Sequence, residues 1–162
     1  MVNEQDLPYM QPITPCIFCE KVSDLENVDN LEDTDNKSFI IHNFPHSILI
    51  VGEHQAFPGY CVLVAKSHIA KLHEMETAIQ TALFTELMQA ASAINKAYPC
   101  KQLNYACYGN MVPHVHWHIF PRHENDIAWP KPVWTKMHEF SNYTTLNNDA
   151  IKIRNHIKNF LS

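Results

Sequence analysis

The chain reads as an α+β fold with a mostly antiparallel sheet. Short runs rich in β-branched and aromatic residues come first. One long stretch of helical periodicity follows, and two further strand-like runs come after it. With 162 residues there is chain enough for one domain with a real core, so residues 1–162 are taken as a single unit.

Residues 1–14 hold turn formers without periodicity and read as an irregular arm. Asp24 to Asp35 carries six carboxylates and no Lys or Arg, which reads as a solvated acidic loop. It lacks the Gly and Glu spacing of a calcium loop. Phe39–Phe44 and Ser47–Gly52 are predicted strands around the turn at Pro45-His46. Phe57-Pro58-Gly59 is a turn signal before a near-continuous apolar strand over Tyr60–Ala65. Met75, Ile79, Ala82, Leu83, Leu87, Met88, Ala91, Ile94 and Tyr98 recur at i+3 and i+4, predicting a long core-facing helix stopped by Pro99. Gln102–Tyr108 and His114–Pro121 are two more strands, joined through Gly109-Asn110. The Pro- and Trp-rich stretch that follows reads as loop. Ile153, Ile157 and Phe160 predict a short C-terminal helix over Asp149–Leu161.

Composition narrows the function classes. Apolar content of 46% and charged content of 18% are those of a globular chain. A net charge of −5 argues against polymeric nucleic acid or an anionic membrane as partner. No run approaches the length of a membrane span, and Met1–Met10 lacks the basic residues of a signal peptide. Five cysteines without framework spacing point to a reducing, cytoplasmic compartment.

The chemistry concentrates in Pro113-His-Val-His-Trp-His-Ile-Phe-Pro121. On a strand, residues i, i+2 and i+4 share a face, so His114, His116 and His118 would line one surface at steps of about 7 Å. Val115, Trp117 and Ile119 would point into a core. A neutral imidazole serves as nucleophile, base or metal ligand. The run therefore suits either attack by a histidine on phosphorus or carbonyl, or His-x-His ligation of zinc. The plain alternative is a strand whose histidines are merely hydrogen-bonded.

Cys16-Ile-Phe-Cys19 is a second constellation, offering two thiolates to zinc or a redox pair. Pro15 and the apolar insert do not suggest the helix start at which a redox pair sits. Cys61 and Cys107 fall in apolar strand patterns and are expected in the core. His68 directly follows a strand, a usual place for a functional side chain. His42, His46, His54, His73, His123, His138 and His156 show no pattern and are expected at the surface.

His114-Val-His-Trp-His-Ile-Phe120 resembles the motif of the histidine triad nucleotide hydrolases and transferases, His-φ-His-φ-His-φ-φ. Cys16-Ile-Phe-Cys19, Pro58-Gly59-Tyr60 with Val62-Leu63-Val64, Lys66-Ser67-His68, Asn104 through Gly109-Asn110, and Pro121-Arg122 fall in the family's order, over about residues 14–135. Gly109 to Pro113, Trp129-Pro130 and Val133-Trp134 look like a bacterial, diadenosine tetraphosphate hydrolase-like branch. The resemblance implies a five-stranded antiparallel sheet with one long helix, commonly as a homodimer. It implies His116 as nucleophile toward the α-phosphorus of a nucleotide, through a nucleotidyl-histidine. His118 would contact the phosphate, and Asn104 and Asn110 would donate hydrogen bonds to it. Relatives with Cys-x-x-Cys bind zinc, which here implies a structural site of Cys16, Cys19, His68 and His114, with no metal needed for the chemistry. Dinucleoside polyphosphates and nucleoside phosphoramidates are the implied substrates. Tyr60 stands where many relatives have a further histidine, Met111 where some have a hydroxyl, and Glu53 is out of register for a ribose ligand. Two other readings remain: a hydrolase whose triad holds a catalytic zinc, and a nucleotide-binding module without turnover.

Overall fold

The computed structural model describes residues 15–26 and 39–161. The irregular arm expected over residues 1–14 and most of the acidic stretch lie outside the described residues. Five strands form one antiparallel sheet in the order β1-β2-β3-β5-β4. They are β1 (Ile40–Asn43), β2 (Ser47–Val51), β3 (Cys61–Ala65), β4 (Gln102–Ala106) and β5 (His116–Arg122). Each begins and ends within about two residues of its predicted run. The helices are α1 (Ile17–Glu26), α2 (Thr77–Ala97) and α3 (Asn147–Lys158).

Strand alternation sends one set of side chains to each face. Leu49, Leu63, Val115, Trp117 and Ile119 pack with Leu83, Leu87 and Ile94 of α2 and Ile157 of α3. Ile48, Ile50, Val62, Val64 and Phe120 pack on the opposite face with Phe18 and Val22 of α1, Val133 and Phe140. Burial on both faces explains why β2 and β3 read as continuous apolar runs. Each such side chain contributes about 1.5–3 kcal/mol. The turn into β3 uses Gly59 at φ 85°, and its missing Cβ leaves room for the Tyr98 ring.

The structure corrects five sequence expectations. Cys16 and Cys19 do sit at a helix start, because the Cys16 carbonyl accepts from Glu20 N–H at 3.1 Å and opens α1. Pro15 stands one residue before the N-cap, where its missing N–H takes no bond from the helix, and Phe18 and Val22 supply an i, i+4 apolar pair. The acidic stretch is helical as far as Glu26. The stretch after Pro121 is not all loop, since Val133–Tyr143 forms a kinked 3₁₀ segment. Cys107 lies just beyond β4 and is exposed, whereas Cys61 is buried as expected. On α2, Met88 is exposed and Glu86 is buried instead, bonded to His46 N–H at 2.9 Å and to the Ser47 hydroxyl at 2.5 Å. Among the described residues no helix is long and apolar enough to cross a membrane.

Candidate active site

The loop before β5 and β5 itself present His114, His116 and His118 on the face packed by α1. His114 and His116 are buried, and His118 is half-buried. Phe18 lies against His116 at 4.7 Å between ring centroids and against His114 at 5.7 Å. The hydrogen-bond partners make these three imidazoles chemically different.

His114 donates its Nε2–H to the carbonyl of Ala65 at 2.6 Å. Its Nδ1 is thereby a bare lone pair. That lone pair faces His68 Nδ1 at 3.3 Å, Cys16 Sγ at 3.5 Å and Cys19 Sγ at 3.7 Å. Cys19 Sγ lies 3.1 Å from His68 Nδ1, and all four atoms fall within 4.8 Å of one another. A tetrahedral zinc would set nitrogens about 3.3 Å apart and nitrogen and sulfur about 3.5 Å apart. The four residues implied by the resemblance are thus brought together, at separations that fit such an ion. Burial and the adjacent Cys16 thiol push the Cys19 thiol up. A cation at the centre would reverse that by binding both sulfurs as thiolates.

His116 donates Nδ1–H to the carbonyl of His114 at 2.6 Å. A carbonyl can only accept, so the proton is on Nδ1 and the lone pair on Nε2. Burial pushes the His116 imidazolium down, favouring the neutral ring. His118 Nδ1 is 2.6 Å from the Tyr60 hydroxyl. Burial, and then the neighbouring His116, push His118 down to about 4. Neither Nε2 has a partner among the described residues.

Asn104 on β4 is half-buried and pairs across to Phe120 of β5. Arg122 Nη1 donates to Asn104 Oδ1 at 2.6 Å, which leaves the amide N–H groups free to donate elsewhere. Arg122 is buried and forms a two-point pair with Asp126 at 2.6 and 3.1 Å. Despite burial, which pushes it up, the bonds from Arg122 and from the backbone of Ala128 and His123 hold the Asp126 carboxyl below its ordinary range. Asn104, Tyr108, Phe120 and Trp134 help line a cleft of about 280 Å³ beside β4. Asn110 is exposed on the loop before β5. Glu53 is at the surface, 3.6 Å from Lys21, and Met111 is exposed.

Sequence reasoning did not single out Phe18, Arg122 or Trp134 as site residues. Trp134 sets its ring edgewise to His118 at 5.1 Å. Phe18 is hidden between the two cysteines, and Arg122 is signalled only by following the histidine run. No spacing rule reveals Trp134, which arrives from the 3₁₀ segment.

The HIT domain profile matches residues 33–125 of the chain. The asymmetrical bis(5'-nucleosyl)-tetraphosphatase of Schizosaccharomyces pombe is 26% identical over 85 residues, 49% of this chain and 47% of that protein. The match thus spans about half the length of that relative. A histidine triad protein of Sinorhizobium meliloti superposes with a TM-score of 0.68 at 23% identity, over 76% of this chain and 89% of its own. A zinc-bound histidine triad family protein of Mycobacterium smegmatis gives 0.62 at 16% identity, over 91% and 93% respectively.

Proposed function

The chain belongs to the HIT domain family, and from that premise we propose that it is a nucleotide hydrolase whose nucleophile is Nε2 of His116. The observation that carries this reading is the bond from His116 Nδ1–H to the His114 carbonyl. It fixes the lone pair on the other nitrogen of a neutral, buried ring. Nε2 bonds to the α-phosphorus while the bond to the leaving polyphosphate or amine breaks. Water then attacks the same phosphorus, the N–P bond breaks, and the nucleotide is released. His118 and the free amide N–H groups of Asn104 would donate to the phosphoryl oxygens, with Asn110 reaching them from its loop. The similarity to the S. pombe tetraphosphatase supports dinucleoside polyphosphates as substrates, alongside nucleoside phosphoramidates.

Cys16, Cys19, His68 and His114 would hold a structural zinc, a reading supported by their separations and by the zinc-bound M. smegmatis relative. Such an ion would cross-link α1 and the loop after β3 to the entry of β5. Only His114 of the three triad histidines turns a nitrogen to this cluster, which favours a closed structural site over a triad-held catalytic metal.

The test is AMP release from diadenosine tetraphosphate and adenosine phosphoramidate. His116→Ala should lower turnover by a factor on the order of 10³ or more, while wild-type turnover should survive a chelator. Turnover undiminished in His116→Ala would overturn the assignment. Turnover abolished by chelator while the fold persists would favour the catalytic-metal reading.

A further inference from the structure

We propose that Tyr60 is a positioning residue: its hydroxyl donates to Nδ1 of His118 and so keeps the His118 proton on Nε2. The proposal rests on the hydrolase reading for its kinetic consequence, and on the structure alone for the bond. The two atoms are 2.6 Å apart. Tyr60 O–H has no other hydrogen-bond partner among the described residues, and the residue is only 7% exposed. If His118 were the donor, the hydroxyl proton would be buried without an acceptor, at a cost of about 1–3 kcal/mol. Donation from Tyr60 satisfies both groups. An Nδ1 that accepts carries no proton, so the proton of a neutral ring must be on Nε2.

The tyrosine ring is held in place for this contact. It stacks on Phe120 at 4.2 Å between centroids and 7° between planes. Gly52 lies close by, and a Cβ there would overlap the Tyr60 ring. Tyr60 N–H donates to the Phe57 carbonyl at 2.9 Å, and the Tyr60 carbonyl accepts from Gly52 N–H at 2.9 Å and Gln55 Nε2 at 2.8 Å. Burial also raises the Tyr60 hydroxyl well above its ordinary value, so it stays a donor.

The consequence is a division of labour between neighbours whose rings are 4.9 Å apart. His116 carries its proton on Nδ1 and offers a lone pair at Nε2. His118 carries its proton on Nε2 and offers an N–H. Two bare Nε2 atoms would both repel the phosphoryl oxygens. One lone pair and one N–H supply a nucleophile and a donor without either ring being charged.

The experiment is nitrogen NMR of the full chain with ring-labelled histidine, with turnover on diadenosine tetraphosphate measured in parallel. Wild type should show His118 protonated at Nε2 and bare at Nδ1. Tyr60→Phe should weaken that preference and lower kcat by about 10-fold to 10²-fold, with KM changed much less. Tyr60→His, which restores a donor, should recover part of both. Finding the His118 proton on Nδ1 in wild type would overturn the proposal, as would a Tyr60→Phe protein with unchanged proton placement. The wild-type spectrum decides the matter even where Tyr60→Phe does not fold. Absence of wild-type turnover would count against the hydrolase reading while leaving the proton placement to stand or fall on the spectrum.

Discussion

His114 and His116 are two residues apart, share a face of the sheet and are both buried, yet they present opposite ring nitrogens. His114 spends Nε2 on the Ala65 carbonyl and turns Nδ1 to two sulfurs and a second imidazole. His116 spends Nδ1 on the His114 carbonyl and leaves Nε2 free. On the proposed reading, the entry to β5 would hold a cation and the strand beyond it would attack an electrophile. What differs is not the side chain but the acceptor that ties down one of its nitrogens.

The sharpest way to break this contrast is to remove each end in turn. Loss of the cluster, by chelation or by Cys19→Ser, should lower Tm by on the order of 10 °C and leave most turnover at temperatures where the fold persists. His116→Ala should remove turnover altogether, and the cavity and the unpaired His114 carbonyl it leaves should lower Tm as well, so turnover at temperatures where both variants stay folded is what separates the two ends. Scanning calorimetry beside the AMP assay reads both, and a cluster variant with normal Tm would remove the structural role. A smaller effect is expected from Gly52→Ala, which touches neither end. The new methyl must displace the Tyr60 ring, at about 1–3 kcal/mol, and turnover should fall as in Tyr60→Phe. Turnover equal to wild type would mean that the Tyr60–His118 contact does not matter.

The smallest expected effect is on stability against pH. An ordinary histidine titrates near 6.5, whereas burial and the neighbouring His116 push His118 down to about 4. Between those values the unfolded chain binds a proton that folded His118 refuses. Its contribution therefore weakens stability as pH falls from 6.5 toward 4 and vanishes above 6.5. Urea titrations across that window should give a shallower pH slope for His118→Gln than for wild type. Equal slopes would assign the titration to other groups.

Much of the fold was legible because periodicity is local. The alternation of β5, the apolar runs of β2 and β3 and the helical stripe of α2 each announce themselves within a dozen residues. α1 was missed because the Cys-x-x-Cys pair was read as chemistry and Pro15 with the apolar insert was read against a helix start. Cys107 was misplaced because a strand pattern does not say where the sheet ends. Met88 lies on the expected stripe, but the neighbouring turn buries Glu86 to satisfy His46 and Ser47. The resemblance to histidine triad proteins named Cys16, Cys19, His68 and His114 as a set, and the structure brings the four together.

By itself the sequence determined the residue types and their faces: three imidazoles on one side of a strand, an apolar row on the other, two thiols near the start of the described chain. Only the tertiary structure decided which nitrogen of each ring is free. A histidine's two nitrogens are equivalent in sequence and become distinct through one hydrogen bond each. Those bonds come from Ala65 and Tyr60 on or beside β3, and from the backbone of His114. Position along the chain sets the direction of a side chain, whereas the role of its atoms is set by whatever group the fold brings against it.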